Sequence, residues 1–197
     1  MIFLVSKNKG LFSPENYKQV DFLDAMEVLK PIRLVQLDTE TMGLDCHTKD
    51  LLTLQLGNKK NQVVFDWTTL SDWEKKDLKA YLESDRVFLG WNIQFDLTFL
   101  YVQGIYPKNI IDGIIIEKLI FLGYPSILNT DIYDGQFGYQ PVLDEKGQLK
   151  YWEISYSLKA AAQRWCNIDI DKTVRGKIID QGLTEEVIVY VVCTYRV

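Results

Sequence analysis

The chain has 197 residues, 47% of them hydrophobic and 25% charged, enough for one well-filled core and too few for a second large domain. Its 27 acidic and 22 basic residues give a formal charge of -5, so no global basic field can hold a long duplex, and any nucleic acid must be gripped locally. A single histidine, His47, excludes mechanisms that need two, and three scattered cysteines (Cys46, Cys166, Cys193) outside any CxxC pair exclude a disulfide framework or zinc ribbon.

In chain order, the opening apolar run from Met1 to Val5 is too short for a signal-peptide core, and no later run reaches membrane-spanning length. The expectation is a protein of the reducing cytoplasm with no membrane partner. The stretch to Lys30 predicts an edge strand and a helix from about Asp21. Arg33–Asp38 reads as a strand, Leu51–Leu56 as a second, and the polar Asn58-Lys59-Lys60-Asn61 turn returns the chain into a third, Gln62–Trp67, making an antiparallel meander. Ser71 with Glu74 forms a capping box for a helix to Ser84, with Leu78, Tyr81 and Leu82 on one stripe. Arg86–Gly90 predicts a further strand feeding a helix from Phe95 to Val102, stopped by Gly104 and Pro107. Helices follow over Gly113–Leu122, from Ser157 through Trp165, and from Thr184 onward. Between 123 and 156 glycines, prolines and tyrosines loosen the pattern into an inserted loop or hairpin. Strands and helices mixed in this order predict an α/β three-layer domain spanning residues 1–197.

Two carboxylates, Asp38 and Glu40, fall at the end of the first meander strand, and strand alternation points both to one face. Crowded like charges are unfavourable without a proton or a cation, and hard divalent ions prefer such oxygens; a solvated strand end is the plainer alternative. Asp96, in the first turn of the helix that follows Gly90-Trp91-Asn92, can face the same cleft. Carboxylates from a strand end and a neighbouring helix suit a two-metal phosphodiester cleavage site, though an acid in a first helical turn also complements the helix dipole.

Leu37-Asp38-Thr39-Glu40-Thr41-Met42-Gly43-Leu44-Asp45 resembles the first motif of the DEDD-type 3'-5' exonucleases, and Phe88 to Phe99 resembles their second. The likeness continues through Tyr156-Ser157-Leu158-Lys159-Ala160, Asp171-Lys172-Thr173 and Leu183 to Tyr190, and is strongest to the proofreading domains of family A DNA polymerases and to ribonuclease D. It implies a ribonuclease H-like fold with a mixed sheet, the three-strand antiparallel meander plus parallel strands, and flanking helices. It further implies that Asp38, Glu40 and Asp96 hold two divalent cations, Mg²⁺ or Mn²⁺, over the terminal phosphodiester. Tyr190 matches the water-orienting tyrosine of the third motif, which assigns the tyrosine subtype. The family's fourth carboxylate, four residues later, is replaced by Thr194. A neutral hydroxyl there removes one negative charge, so weakened metal binding and reduced activity are expected. On a helix Glu186 lies ~12 Å from that position and cannot take over.

The implied substrate is the 3' end of single-stranded nucleic acid, DNA in preference to RNA, with proofreading beside a polymerase domain in a longer parent protein. A lapsed exonuclease fold serving as a binding or structural module, and a ribonuclease D-like RNA trimmer, are the alternatives. By the same resemblance Thr39 and Thr41 lie near the terminal nucleotide, Leu44 wedges against a base and Asn92 holds the backbone; a turn or core role is open to each. Trp91, Phe95, Tyr139, Tyr151 and Trp152 can stack on bases or fill the core, and Lys159, Lys172, Arg175 and Lys177 can meet phosphate or simply solvate a surface. Cys46 and His47 lack the further ligands of a metal site.

Overall fold

The computed structural model describes residues 1–8, 17–122, 146 and 155–170. These fall into two compact units, one running to Gly113 and the other from Ile114 to Ile170. The first unit contains β1 (Ile2–Val5), β2 (Lys18–Gln19), α1 (Phe22–Leu29), β3 (Leu34–Thr41), β4 (Leu51–Gly57), β5 (Gln62–Asp66), α2 (Asp72–Leu82), β6 (Val87–Gly90), α3 (Gln94–Val102) and β7 (Asn109–Asp112). The second contains α4 (Gly113–Ile120), which opens at the boundary, and α5 (Leu158–Cys166).

The strands form one mixed sheet in the order β2-β1-β5-β4-β3-β6-β7. The predicted meander is its centre: β3 pairs antiparallel with β4, and β4 with β5. Parallel β1 and β2 extend it on one side, and parallel β6 and β7 on the other. The stretch to Lys30 supplies two strands where one was expected: β2 takes the predicted edge and β1 lies inside it. β7, which was not predicted, forms the opposite edge and at four residues is too short to show alternation.

Alternation gives the sheet two unlike faces. Phe3, Val5, Val35, Leu37, Leu54, Leu56, Val63, Phe65 and Phe88 share one core cluster with Phe22, Ala25 and Leu29 of α1, Leu78, Tyr81 and Leu82 of α2, and Leu97, Phe99 and Leu100 of α3. The other face carries Gln36, Asp38 and Glu40 of β3, set in register against Gly57, Gln55 and Thr53 of β4. Ser71 and Glu74 form the predicted capping box, the Ser71 amide donating to Glu74 Oε2 at 2.6 Å, and Lys7 Nζ reaches the same oxygen at 2.8 Å. This ties the end of β1 to the start of α2.

In the second unit, Ser157 caps α5 as expected, its Oγ accepting the Ala160 amide at 3.2 Å, and Asn167 closes the helix in a left-handed conformation. No described helix is long and apolar enough to cross a membrane. The predicted helix from Thr184 and nearly all of the 123–156 insertion lie outside the described residues.

Candidate active site

β3 outruns its parallel neighbour. The pairing with β6 ends at Gln36 opposite Leu89, while β3 continues to Thr41, with a register shift between Glu40 and Thr41. The overhang leaves backbone donors without a strand partner on that side. Asp96, entering from the first turn of α3, takes one of them: its Oδ1 accepts the Thr39 amide at 2.8 Å and the Thr39 hydroxyl at 2.6 Å. The carboxylate is only 3% exposed. Burial, followed by the negative charge of Asp38, pushes its pKa up to about 8, while the Thr39 bonds pull the other way. The structure thus brings two predicted residues together, Asp38 and Asp96, close enough for each carboxylate to destabilise the other's charge. Half-buried Glu40 follows two residues after Asp38 on the same strand face.

The donor set suits a hard divalent ion. It consists of carboxylate oxygens crowded as like charges, an arrangement that a cation relieves, and Thr39 holds Asp96 through Oδ1. Among the described residues no three histidine, cysteine or carboxylate groups close into a metal cage by themselves. Tyr190 and Thr194 lie outside the described residues.

The turn between β6 and α3 depends on close approach. A Cβ on Gly90 would lie 2.8 Å from Ile93 Cγ1, and one on Gly113 would lie 2.6 Å from Trp91 Cε3. Asn92 adopts φ 59°, a left-handed conformation that Asn tolerates better than other side-chain-bearing residues. Its amide donates to Asp112 Oδ1 at 2.9 Å, and its carbonyl accepts the Phe95 amide at 3.0 Å. Both bonds use backbone atoms, so the exposed Asn92 side chain is left to face outward.

Beside this turn is an open groove of about 360 Å³ lined by Leu44, Asp45, Cys46, Asn92, Gln94, Phe95 and Thr98. Two predicted substrate contacts, Leu44 and Asn92, therefore share one surface, and Leu44 is 83% exposed. Asp45 accepts the His47 amide at 3.0 Å and the Thr48 hydroxyl at 2.8 Å, bonds that hold its carboxyl below the usual range. The two threonines are engaged within the chain: Thr39 holds Asp96, and the Thr41 hydroxyl donates to the Gly43 carbonyl at 2.7 Å. Both are buried. Phe95 packs partly against the core while lining the groove. Lys159 pairs with Asp169 at 2.9 Å.

Sequence reasoning missed Gln94 and Thr98, although their four-residue spacing on α3 places them on one helical face. It also missed Asp112, which had no local signal, because its role depends on β7 pairing with β6 so that Asp112 stands opposite Gly90.

A 3'-5' exonuclease family model, that of the family A DNA polymerases, matches residues 16–192. DNA polymerase I of Aquifex aeolicus is 30% identical over 131 residues, covering 66% of this chain and 21% of that polymerase. Escherichia coli RNase D, an exoribonuclease involved in structured RNA processing, superposes with a TM-score of 0.62 at 20% identity, over 89% of this chain and 39% of that one. NrnC of Brucella melitensis, solved with bound Mg²⁺, gives 0.56 at 17% identity, over 99% of this chain and 75% of that one. Trypanosoma brucei RNase D with GMP gives 0.64 at 15% identity, over 99% of this chain and 54% of that one. The mixed sheet and helices are the ribonuclease H-like exonuclease fold of these neighbours.

Proposed function

The chain belongs to the 3'-5' exonuclease family of the family A DNA polymerases, and we propose that it hydrolyses the 3'-terminal phosphodiester of single-stranded DNA as a proofreading domain. The observation that carries this reading is the Asp38–Asp96 pair, in which Asp96 is raised in pKa by burial and then by the charge of Asp38, at the point where the first two motifs meet. Asp38, Glu40 and Asp96 would hold two divalent ions, Mg²⁺ or Mn²⁺. Such ions supply an activated water and charge stabilisation at the leaving oxygen. Thr39 positions Asp96 by filling one of its oxygens, Leu44 and Asn92 meet the terminal nucleotide at the groove, and Tyr190 orients the attacking water. Thr194 in place of a fourth carboxylate lowers ion affinity and turnover.

The chain spans about a fifth of the Aquifex polymerase it matches, so a polymerase region in a longer parent is part of the proposal. A second reading, trimming of RNA, draws support from the RNase D neighbours. The decisive experiment follows Mg²⁺- and Mn²⁺-dependent shortening of 5'-labelled single-stranded DNA and RNA by the native chain, Asp38→Ala and Thr194→Asp. Laddering from the 3' end that Asp38→Ala abolishes and Thr194→Asp accelerates is expected, with DNA cut faster. Faster cutting of RNA selects the second reading, and silence from all three proteins refutes both.

A further inference from the structure

On α4 the usual amphipathic arrangement is inverted. Its buried side carries Glu117, 3% exposed, which is ion-paired with Arg164 and accepts the Trp165 indole N–H at 2.7 Å. Ile115, Ile116, Leu119, Ile120 and the following Leu122 are instead 56, 47, 62, 47 and 76% exposed. At ~100° per residue the four within α4 fall within one arc of about 140°, and Lys118 falls outside it. A contiguous aliphatic face left in water while a carboxylate is buried beneath it is the pattern of a surface with a partner.

We propose that this face of α4 docks a second copy of the same chain about a two-fold axis. Two properties select that occupant. The first is area: the five side chains present on the order of 500 Å², so two copies would remove about 1,000 Å², the size at which a specific interface begins. The second is self-complementarity. A two-fold axis sets each residue of the face against a residue of the same face, and an uncharged aliphatic face can meet itself without like-charge repulsion. Isoleucine and leucine ridges on one α4 can seat in the grooves of the other, as helix pairs do.

The test is light scattering on the full chain across a dilution series, with Ile116→Lys and Leu119→Lys beside it. The expected result is a mass of twice the monomer for the native chain and a single monomer mass for either variant, with unchanged far-UV circular dichroism. A native chain that is monomeric at every concentration, or a dimer that both lysine variants leave intact, overturns the proposal. A second measurement guards against misfolded variants. In a chain whose three native cysteines are serine, Leu119→Cys should form a disulfide-linked dimer on oxidation, and Leu23→Cys, 63% exposed on α1, should not. Equal cross-linking at both positions, or at neither, likewise counts against the two-fold contact.

Discussion

Thr39 donates both its amide and its hydroxyl to one oxygen of Asp96, at 2.8 and 2.6 Å, across 57 positions of sequence. The pairing fixes the first turn of α3 against the overhanging end of β3. Because these bonds favour the ionised form of Asp96, they oppose the burial and the Asp38 charge that disfavour it.

Thr39→Val keeps the shape and the amide bond but removes the hydroxyl donor. Thermal unfolding should show a loss of about 1 kcal/mol. Mn²⁺ titration should show weaker binding, because Asp96 would become harder to ionise. Unchanged stability together with unchanged ion affinity would separate Thr39 from the site.

The raised pKa of Asp96 gives stability a predictable slope with pH. An unfolded aspartate ionises near pH ~4, whereas in the folded, ion-free chain Asp96 keeps its proton until about pH 8. The folded state therefore binds more protons across this window, and stability falls as pH rises through it. Asp96→Asn should remove that part of the slope and leave the variant relatively more stable at pH 8 than at pH 4. Saturating Mg²⁺ should flatten the native profile and leave the variant's unchanged. Parallel profiles for the native chain and the variant would contradict the assignment.

Asn92 separates turn geometry from substrate contact. Its φ of 59° suits glycine, so Asn92→Gly should hold stability within ~0.5 kcal/mol, while Asn92→Ala should lose roughly 1 kcal/mol to left-handed strain. If the outward side chain grips the nucleotide, both variants raise KM alike in the exonuclease assay. A KM increase confined to Asn92→Ala would make the residue a turn former only.

Glu117 and Arg164 form a buried pair whose side chains are 4% and 10% exposed. Arg164→Met should destabilise the chain by about 3–5 kcal/mol, because it strands a carboxylate without its charge partner. The double replacement Glu117→Leu with Arg164→Met should recover most of that loss in urea unfolding. Additive single effects would show that the two act independently.

Legibility followed length and locality. The meander was readable because β3 alternates, and α2 was readable because Ser71 and Glu74 mark its start in adjacent sequence. β7 was hidden by its four residues, and the interior placement of β1 was hidden because parallel pairing with β5 leaves no mark on either strand alone. At the site, Asp38 and Asp96 were readable as motif residues, but the agent that joins them, Thr39, looked like a substrate contact. Its commitment to Asp96 depends on β6 ending at Gly90 while β3 runs on, a difference in strand length that neither strand's composition encodes. Asp112 was unreadable for the same reason, since the partner it serves lies 20 positions earlier.

The pairing of β1 with β5 also sets an order of events as the chain folds. Ile2 stands opposite Gln62 and Val5 opposite Phe65, so β1 has no sheet neighbour on that side until the last strand of the meander exists. Local hairpins can close early, while this parallel contact has to await a long loop closure, the kind of step that slows folding. The aliphatic and aromatic segment Ile2-Phe3-Leu4-Val5 keeps that edge open in the meantime, with only the two-residue β2 along its other side, which makes the chain most prone to aggregate before β5 has formed.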